Sequence, residues 1–275
     1  MHYLQAASRR AIADARDRLD GYLDGASEAD AARLGEELFA AVDLLAGEPV
    51  LRRHLADPAT SAADRRRLLK AVFGEKLSRP TMDVLDGLAG SRWSQPRDLM
   101  DAGETLGRLA ILAVAEKQNA IEDVEDELFR VGRLVDREGR LRTLLGDVAV
   151  PTDRRVELLR SVIAGKVQAP TERLLVRAVQ APHGLSLDRA AEQLAELAAE
   201  RRERFVARVS TPVALTDAQQ ERLSAALSRI YGRDMSLQVE LDEKLLGGLV
   251  VRVADEVIDG SIAGRLNAAR QRVPR

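Results

Sequence analysis

The stretch "ELFAAVDLLAGEPVLRRHLADPATSAADRRRLLKAVFGEKLSRPT", Glu37 to Thr81, decides how the chain is read, because it occurs twice. Its second version, "ELFRVGRLVDREGRLRTLLGDVAVPTDRRVELLRSVIAGKVQAPT", runs from Glu127 to Thr171, an offset of 90 positions without a gap. Phe39 aligns with Phe129, Glu48 with Glu138, Leu51 with Leu141, Leu55 with Leu145 and Asp57 with Asp147. Leu68–Leu69 align with Leu158–Leu159, Lys76 with Lys166, Pro80–Thr81 with Pro170–Thr171 and, further on, Asp98 with Asp188. Upstream of Leu38 the match fades. Shared composition does not produce so many coincidences at one offset, and self-similarity at a fixed period marks a duplicated structural unit.

Each copy carries the punctuation of short helices. Leu34, Leu38, Val42 and Leu45 are spaced to fall on one helical face, and Val124, Leu128, Val131 and Val135 are their equivalents. Segments ending "LADPATSAAD" and "LGDVAVPTD" follow. There Ser61 and Thr152 are expected to cap the next helix by accepting hydrogen bonds from its free N–H groups. Pro80 and Pro170 suit the first turn of a further helix, where a missing N–H does no harm. Several short helices joined by short loops make each copy a compact bundle.

Composition agrees and removes several function classes. Hydrophobic residues make up 45% and charged residues 31%, as in a globular chain, while aromatics are only 3%, so the core must be Leu, Val, Ile and Ala. The absence of Cys excludes disulfides, thiolate metal sites and thiol nucleophiles, and fits a reducing compartment. The N-terminal "MHYLQAASRRAIADARDRLD" is amphipathic and has no apolar h-region, so no secretory signal is expected. The longest apolar run, "LAILAVA" (Leu109 to Ala115), is far short of the roughly 20 residues of a membrane span, so no direct span is expected. Basic residues number 42 against 44 acidic ones. That balance lacks the basic excess of a nucleic-acid binder, and no nucleic-acid partner is expected.

Beyond the second copy the period changes. "SLDRAAEQLAELAAERRER" reads as a helix burying Leu187, Ala191, Leu194 and Ala198. From there Phe205, Ala207, Val209, Thr211, Val213 and Leu215 alternate as in a strand. Thr216 and Gln219 form a capping-box pattern opening a helix that is expected to bury Leu223, Leu227, Ile230 and Tyr231 and to stop at Gly232. Leu237, Val239 and Leu241 alternate again, and two strands bracketing a helix suggest a parallel pair with a right-handed crossover. "KLLGGLVVRVADEVIDGSIAGRL" (Lys244 to Leu266) adds a strand from Leu249 to Val253, a turn at "ADEV", and Val257 and Ile258 pairing back. Gly247–Gly248 permit a bulge or close backbone approach, and Gly260 likewise permits a positive φ before the cap. Ser261 then caps a last helix bearing Ile262, Leu266 and Ala269. The fold class is therefore mostly α, two tandem helical bundles followed by a small α+β C-terminal module.

Residues that carry chemistry are scarce. The three histidines, His2, His54 and His183, include no pair at i, i+4 that could hold a metal from one helix. His183 occupies the position of Trp93 in the other copy, which speaks for a boundary residue near a loop. Gly247–Gly248 precede a strand and no Lys-Ser/Thr follows, so they are not a phosphate loop, and no nucleophile elbow or dinucleotide fingerprint is present. No catalytic, cofactor-binding or metal-ligating residue is expected, and no cofactor. What remains is an interaction protein whose bundles receive partner helices in apolar grooves.

The C-terminal "LLGGLVVRVADEVIDGSIAGRL" resembles the signature of a known family, the delta subunit of bacterial F-type ATP synthases, called the oligomycin-sensitivity-conferring protein in mitochondria. An apolar pair, a Gly pair, a Val-rich strand, "D-x-V-I-D-G-S" and a helix follow in the family's order. The similarity extends upstream through "LRTLLGDVAVPTDRRVELLRSVIAGKV" and covers about residues 105 to 275. Ordinary members carry one helical bundle, so the resemblance implies an extra N-terminal bundle at 1–104, as in the longer actinobacterial form. The family-type bundle follows at 105–204 and a C-terminal βα module at 205–275. It also implies a non-catalytic stator, peripheral at the cytoplasmic face of the plasma membrane. The expected partners are the N-terminal helices of the α subunit and the b subunit of the peripheral stalk, a separate chain. Leu246, Gly247, Gly248, Val251, Asp259, Gly260 and Ser261 are the signature positions and mark the stalk-binding module. The other reading open at this point is a helical adaptor unrelated to ATP synthase.

Overall fold

The computed structural model describes residues 6–74, 76–203, 206–231, 235–242, 244–253 and 256–262. The chain forms two compact units, Met1–Ala198 and Ala199–Arg275.

In the first unit α1 (Ala6–Leu23) and α2 (Glu28–Gly47) are followed by the short α3 (Pro49–Ala56), α4 (Ala62–Phe73) and α5 (Arg79–Gly90), then by the longer α6 (Pro96–Lys117). The series then recurs as α7 (Ile121–Arg137), α8 (Gly139–Gly146), α9 (Thr152–Ile163), α10 (Ala169–Gln180) and α11 (Leu187–Glu203). Helices α8, α9 and α10 begin and end 90 positions after α3, α4 and α5, so the repeat in sequence is a repeat in structure. The faces expected to be buried are buried: Leu34, Leu38, Val42 and Leu45 on α2, Val124, Leu128, Val131 and Val135 on α7, and Leu187, Ala191, Leu194 and Ala198 on α11.

Local chemistry sets the helix starts. Ser61 caps α4 by accepting from the Asp64 N–H at 3.1 Å, and prolines stand in the first turn of α5 and α10. Thr152 does not cap α9. Pro151 takes the cap position, its carbonyl accepting from the N–H groups of Arg154 and Arg155, and the Thr152 hydroxyl instead accepts from Arg155 Nη2 at 3.0 Å. Proline brings the chain to the helix start with φ already fixed, which moves the first helical residue to Thr152.

Both copies also use a cap supplied from outside the helix. Glu37 Oε2 accepts from the Ser78 N–H at 2.9 Å and from the Thr81 hydroxyl at 2.6 Å. Ninety positions on, Glu127 Oε2 accepts from the Gln168 N–H at 2.9 Å and from the Thr171 hydroxyl at 2.6 Å. A carboxylate on the long helix thus closes the N-terminus of α5 or α10, where orphan N–H groups and the helix dipole favour negative charge.

Helix α6 belongs to both copies. Shifted by 90 positions, α1 overlies α6, and α6 in turn overlies α11. Leu106, Leu109, Ala110 and Ala113 pack into the first core, while Ile111, Leu112 and Ala115 pack into the second. The run Leu109–Ala115 is buried all round, as a helix between two cores must be. The junction expected between residues 104 and 105 falls inside this helix. Close approach of α2 depends on glycine: a Cβ on Gly107 would lie 2.5 Å from the Phe39 ring, and one on Gly35 2.7 Å from Ile111 Cδ1. Phe39, although carried by α2, therefore joins the second core.

The second unit holds β1 (Val206–Thr211), α12 (Asp217–Tyr231), β2 (Ser236–Leu241), β3 (Val250–Val253) and β4 (Glu256–Asp259). The sheet order is β2-β1-β3-β4, with β1 parallel to β2 and the other neighbours antiparallel. Ala207 pairs with Val253 and Val209 with Val251, and these four side chains with Leu227 and Met235 make the core. The capping box forms, the Thr216 N–H donating to Gln219 Oε1 at 2.9 Å.

Three expected inward positions are exposed. Val213 lies past the end of β1, because Pro212 cannot donate to a ladder. Leu241 ends the edge strand β2. Ile230 is exposed because the buried stripe runs through Leu223, Leu227 and Tyr231, drifting away from it around the helix. Phe205, Gly232, the Ala254–Asp255 part of the turn, and Leu266 and Ala269 lie outside the described residues, as does His2.

Candidate docking surfaces

The signature residues divide into those that build the C-terminal turn and those that face outward. Gly247 and Gly248 have φ of 148° and 81°, in the region that disfavours side chains. The Gly247 carbonyl accepts from the Ile262 N–H at 3.0 Å, and the Leu249 carbonyl from the Gly260 N–H at 2.9 Å. These bonds press the two chain segments together, so a Cβ on Gly248 would meet Gly260 O at 2.5 Å and Ser261 Cα at 2.9 Å.

Gly260 does not use the positive φ that glycine permits; a Cβ there would lie 3.1 Å from Leu249 O, a tight contact. Ser261 is buried and its N–H donates to Asp259 Oδ1 at 2.9 Å. Hydrogen bonds from the Ser261 hydroxyl and N–H hold the Asp259 carboxyl below its ordinary range. Val251 is in the core and Leu246 is exposed, so of the seven positions Leu246 is the apolar side chain open to a partner. Val257, Ile258 and Ile262 are exposed apolar residues of the same unit.

The first unit contains a charged contact that sequence reading missed. Glu104 on α6 is buried and accepts from Arg177 of α10, at 2.7 Å from Nη2 and 3.1 Å from Nε, and from Arg108 Nε at 3.2 Å. Arg177 Nη1 donates to Asp43 Oδ2 of α2 at 2.8 Å, and its guanidinium carbon lies 4.7 Å from the centroid of the Phe39 ring. Burial pushes the Glu104 carboxyl up, but contacts from His183, Arg177 and Arg108 outweigh it and hold the group at about 2. The His183 Nε2 to Glu104 Oε2 separation is 3.6 Å, longer than a hydrogen bond, so Arg177 is the principal partner. Burial opposes the Arg177 charge as well, and Asp43 and Glu104 more than offset it, raising its pKa.

His183 sits between α10 and α11 with φ 49°, a loop position like that of Trp93, whose indole N–H donates to Leu88 O at 2.8 Å. The repeat gave no hint of this contact, since Gly87 stands where Arg177 would be in the first copy and Leu194 where Glu104 would be in the second. The arrangement fastens α2, α6 and α10 together. Among the described residues no group of three or more His, Asp or Glu could hold a metal ion.

Helical faces and an apolar turn suited to holding other chains agree with what the chain is similar to. Residues 109–273 match the model of the ATP synthase delta (OSCP) subunit family. The chain is 47% identical over 267 residues to ATP synthase subunit delta of Streptomyces avermitilis, covering 97% of both chains. It is 46% identical over 270 residues to the subunit of the same name in Streptomyces griseus, covering 98% of this chain and 99% of that one. With that of Thermobifida fusca the identity is 41% over 270 residues, again covering 98% and 99%. The relatives match both bundle copies as well as the C-terminal turn, and the chain belongs to the ATP synthase delta (OSCP) subunit family.

Proposed function

We propose that this chain is a peripheral-stalk subunit of an F-type ATP synthase, a mechanical link that keeps the catalytic α/β head from turning with the rotor. The observation that carries this is family membership along nearly the whole chain, the extra bundle included. A stator needs stiffness and two attachment points rather than reactive groups. The helical unit is stiffened by a doubly buried α6 and by the Arg177–Glu104 contact, and the C-terminal unit presents Leu246, Val257, Ile258 and Ile262 to solvent.

On this reading the bundles at 1–104 and 105–204 receive N-terminal helices of α subunits, and the module at 205–275 meets the end of the b stalk. Gly247, Gly248, Gly260, Ser261, Asp259 and Val251 shape that module, and Leu246 contributes directly to the contact. The chain performs no catalysis. Among the described residues no helix is long and apolar enough to cross a membrane. Attachment to b would then hold the chain at the cytoplasmic face of the plasma membrane.

Membrane vesicles depleted of this subunit test the proposal. ATP hydrolysis by the head should persist in them while ATP-driven proton pumping is lost, and adding the purified chain should restore pumping. Pumping that is undiminished by depletion, or not restored by the chain, would refute the role.

A further inference from the structure

We propose that the outer face of α7, centred on Phe129 and Arg133, is a docking surface for an acidic amphipathic helix of a partner protein. The inference concerns the first unit alone and does not rest on the stator assignment.

The duplication supplies an internal template. In the first copy the corresponding face of α2 is covered: Phe39 is buried, Asp43 is paired with Arg177 at 2.8 Å, and Glu36 is paired with Arg173 at 3.5 Å. The cover is a helix, α10 of the second copy, with its two arginines one turn apart laid on the two carboxylates of α2. The second copy has no third copy to cover it. Phe129, the equivalent of Phe39, is 53% exposed, and Leu134 is 39% exposed. They border an open cleft of ≈ 510 Å³ together with Arg130, Arg133 and Arg137. An exposed phenylalanine flanked by leucine on a helix is the kind of apolar surface a partner helix covers.

Of the two template carboxylates the second copy keeps one, Asp126 for Glu36, and inverts the other, Arg133 for Asp43, and with two further arginines the cleft is basic on balance, which selects the occupant. Arg133 stands where the first copy has Asp43, Arg130 where it has Ala40, and Arg137 where it has Gly47. Arg130 is paired with Asp126 at 3.1 Å, both side chains being well exposed. Arg133 lies over the Phe129 ring at 5.9 Å, and among the described residues neither Arg133 nor Arg137 makes an ion pair. Asp126 is already neutralised by Arg130, so the charge left for a partner is that of Arg133 and Arg137, one turn apart, and α7 is built to take a helix bearing carboxylates at that spacing. Like charges laid directly opposite one another would reject the arginine-bearing helix, so the face discriminates as well as binds.

The test uses the full chain and a labelled 18-residue peptide copying residues 166–183 with Arg177→Glu and Ala181→Glu, which sets two carboxylates one turn apart, read by fluorescence anisotropy. The acidic peptide should bind, and Arg133→Glu in the full chain should weaken it at least ten-fold, as should Phe129→Ser. The unaltered arginine peptide should bind the native chain at least ten-fold more weakly, with the preference reversed in the Arg133→Glu chain. The far-ultraviolet circular dichroism of both variants should be unchanged, since each side chain is exposed. Failure of the acidic peptide to bind, or equal binding by native and Arg133→Glu chains, would overturn the proposal. So would either of two other outcomes: Phe129-dependent self-association that excludes the peptide, or Arg133-dependent binding to vesicles of anionic lipid without binding to the peptide.

Discussion

Glu104 shows how much one residue can decide. It is a buried carboxylate in a helix otherwise chosen for small apolar side chains, and it is tolerable only because Arg177 reaches it from α10. Removing one partner of such a pair strands the other, so Arg177→Met is expected to cost roughly 3–5 kcal/mol. The pair also makes stability depend on pH. The folded-state pKa of Glu104 is depressed from 4.5 to about 2, so its contribution is complete above the unfolded value and is lost as pH falls from 4.5 towards 2. Its size is on the order of 3 kcal/mol. Urea midpoints measured at pH 6 and pH 3 should therefore lie closer together in the double variant Glu104→Gln/Arg177→Met than in the native chain. Equal acid sensitivity in the two proteins would show that other carboxylates carry the effect.

At the scale of the element, the β4 side of the C-terminal hairpin is held by backbone contact rather than by side-chain packing. β3 and β4 are each four residues long, and while Val251 and Val253 anchor β3 in the core, every residue of β4 is exposed, so little apolar burial holds β4 to its partner. What fixes it is the crossing of Gly247–Gly248 against Gly260–Ser261. Gly248→Val would place a branched side chain at φ 81° and against a carbonyl oxygen. The left-handed backbone alone costs a residue with a side chain about 1–2 kcal/mol, before any displacement of the turn. Amides of β3 and β4 are expected to exchange with solvent at least ten-fold faster in this variant, while the fluorescence melt of Trp93, in the first unit, stays where it was. Unchanged protection of Val251 would mean that the glycine pair is not what holds the turn. Gly260 shows the same geometry from the other side: a sequence shows that glycine permits a positive φ, and only the backbone shows whether φ or space is used.

Across the whole helical unit, a shared α6 makes the two copies one cooperative body. Deleting methyl groups from the second core should be felt in the first, because Leu112 and Ala115 are on the same helix as Leu109 and Ala113. Leu128→Ala removes a fully buried side chain from the second core, at a cost of about 2–5 kcal/mol. Trp93, the sole tryptophan, packs in the first core and reports on that copy. Its urea midpoint should shift with that of the circular dichroism at 222 nm. A Trp93 transition that stays at the native midpoint while the dichroism moves would show two independently folding bundles.

The sequence by itself determined the duplication, the buried faces of the long helices, most of the caps and the strand-and-turn order of the C-terminal unit. All of these are written in local spacing, one helical or strand period at a time, so they survive in a linear reading. It also carried an unused hint: the unbroken "LAILAVA" has no polar face, and a helix without one must be covered on every side. Only the tertiary structure decided that this helix closes the first bundle and opens the second. Likewise it alone brought Asp43, Glu104 and Arg177 together across 134 positions of chain, and left Phe129 open where Phe39 is closed. Those outcomes depend on which surfaces meet after the repeat units stack, and a contact between units leaves no period in the sequence of either.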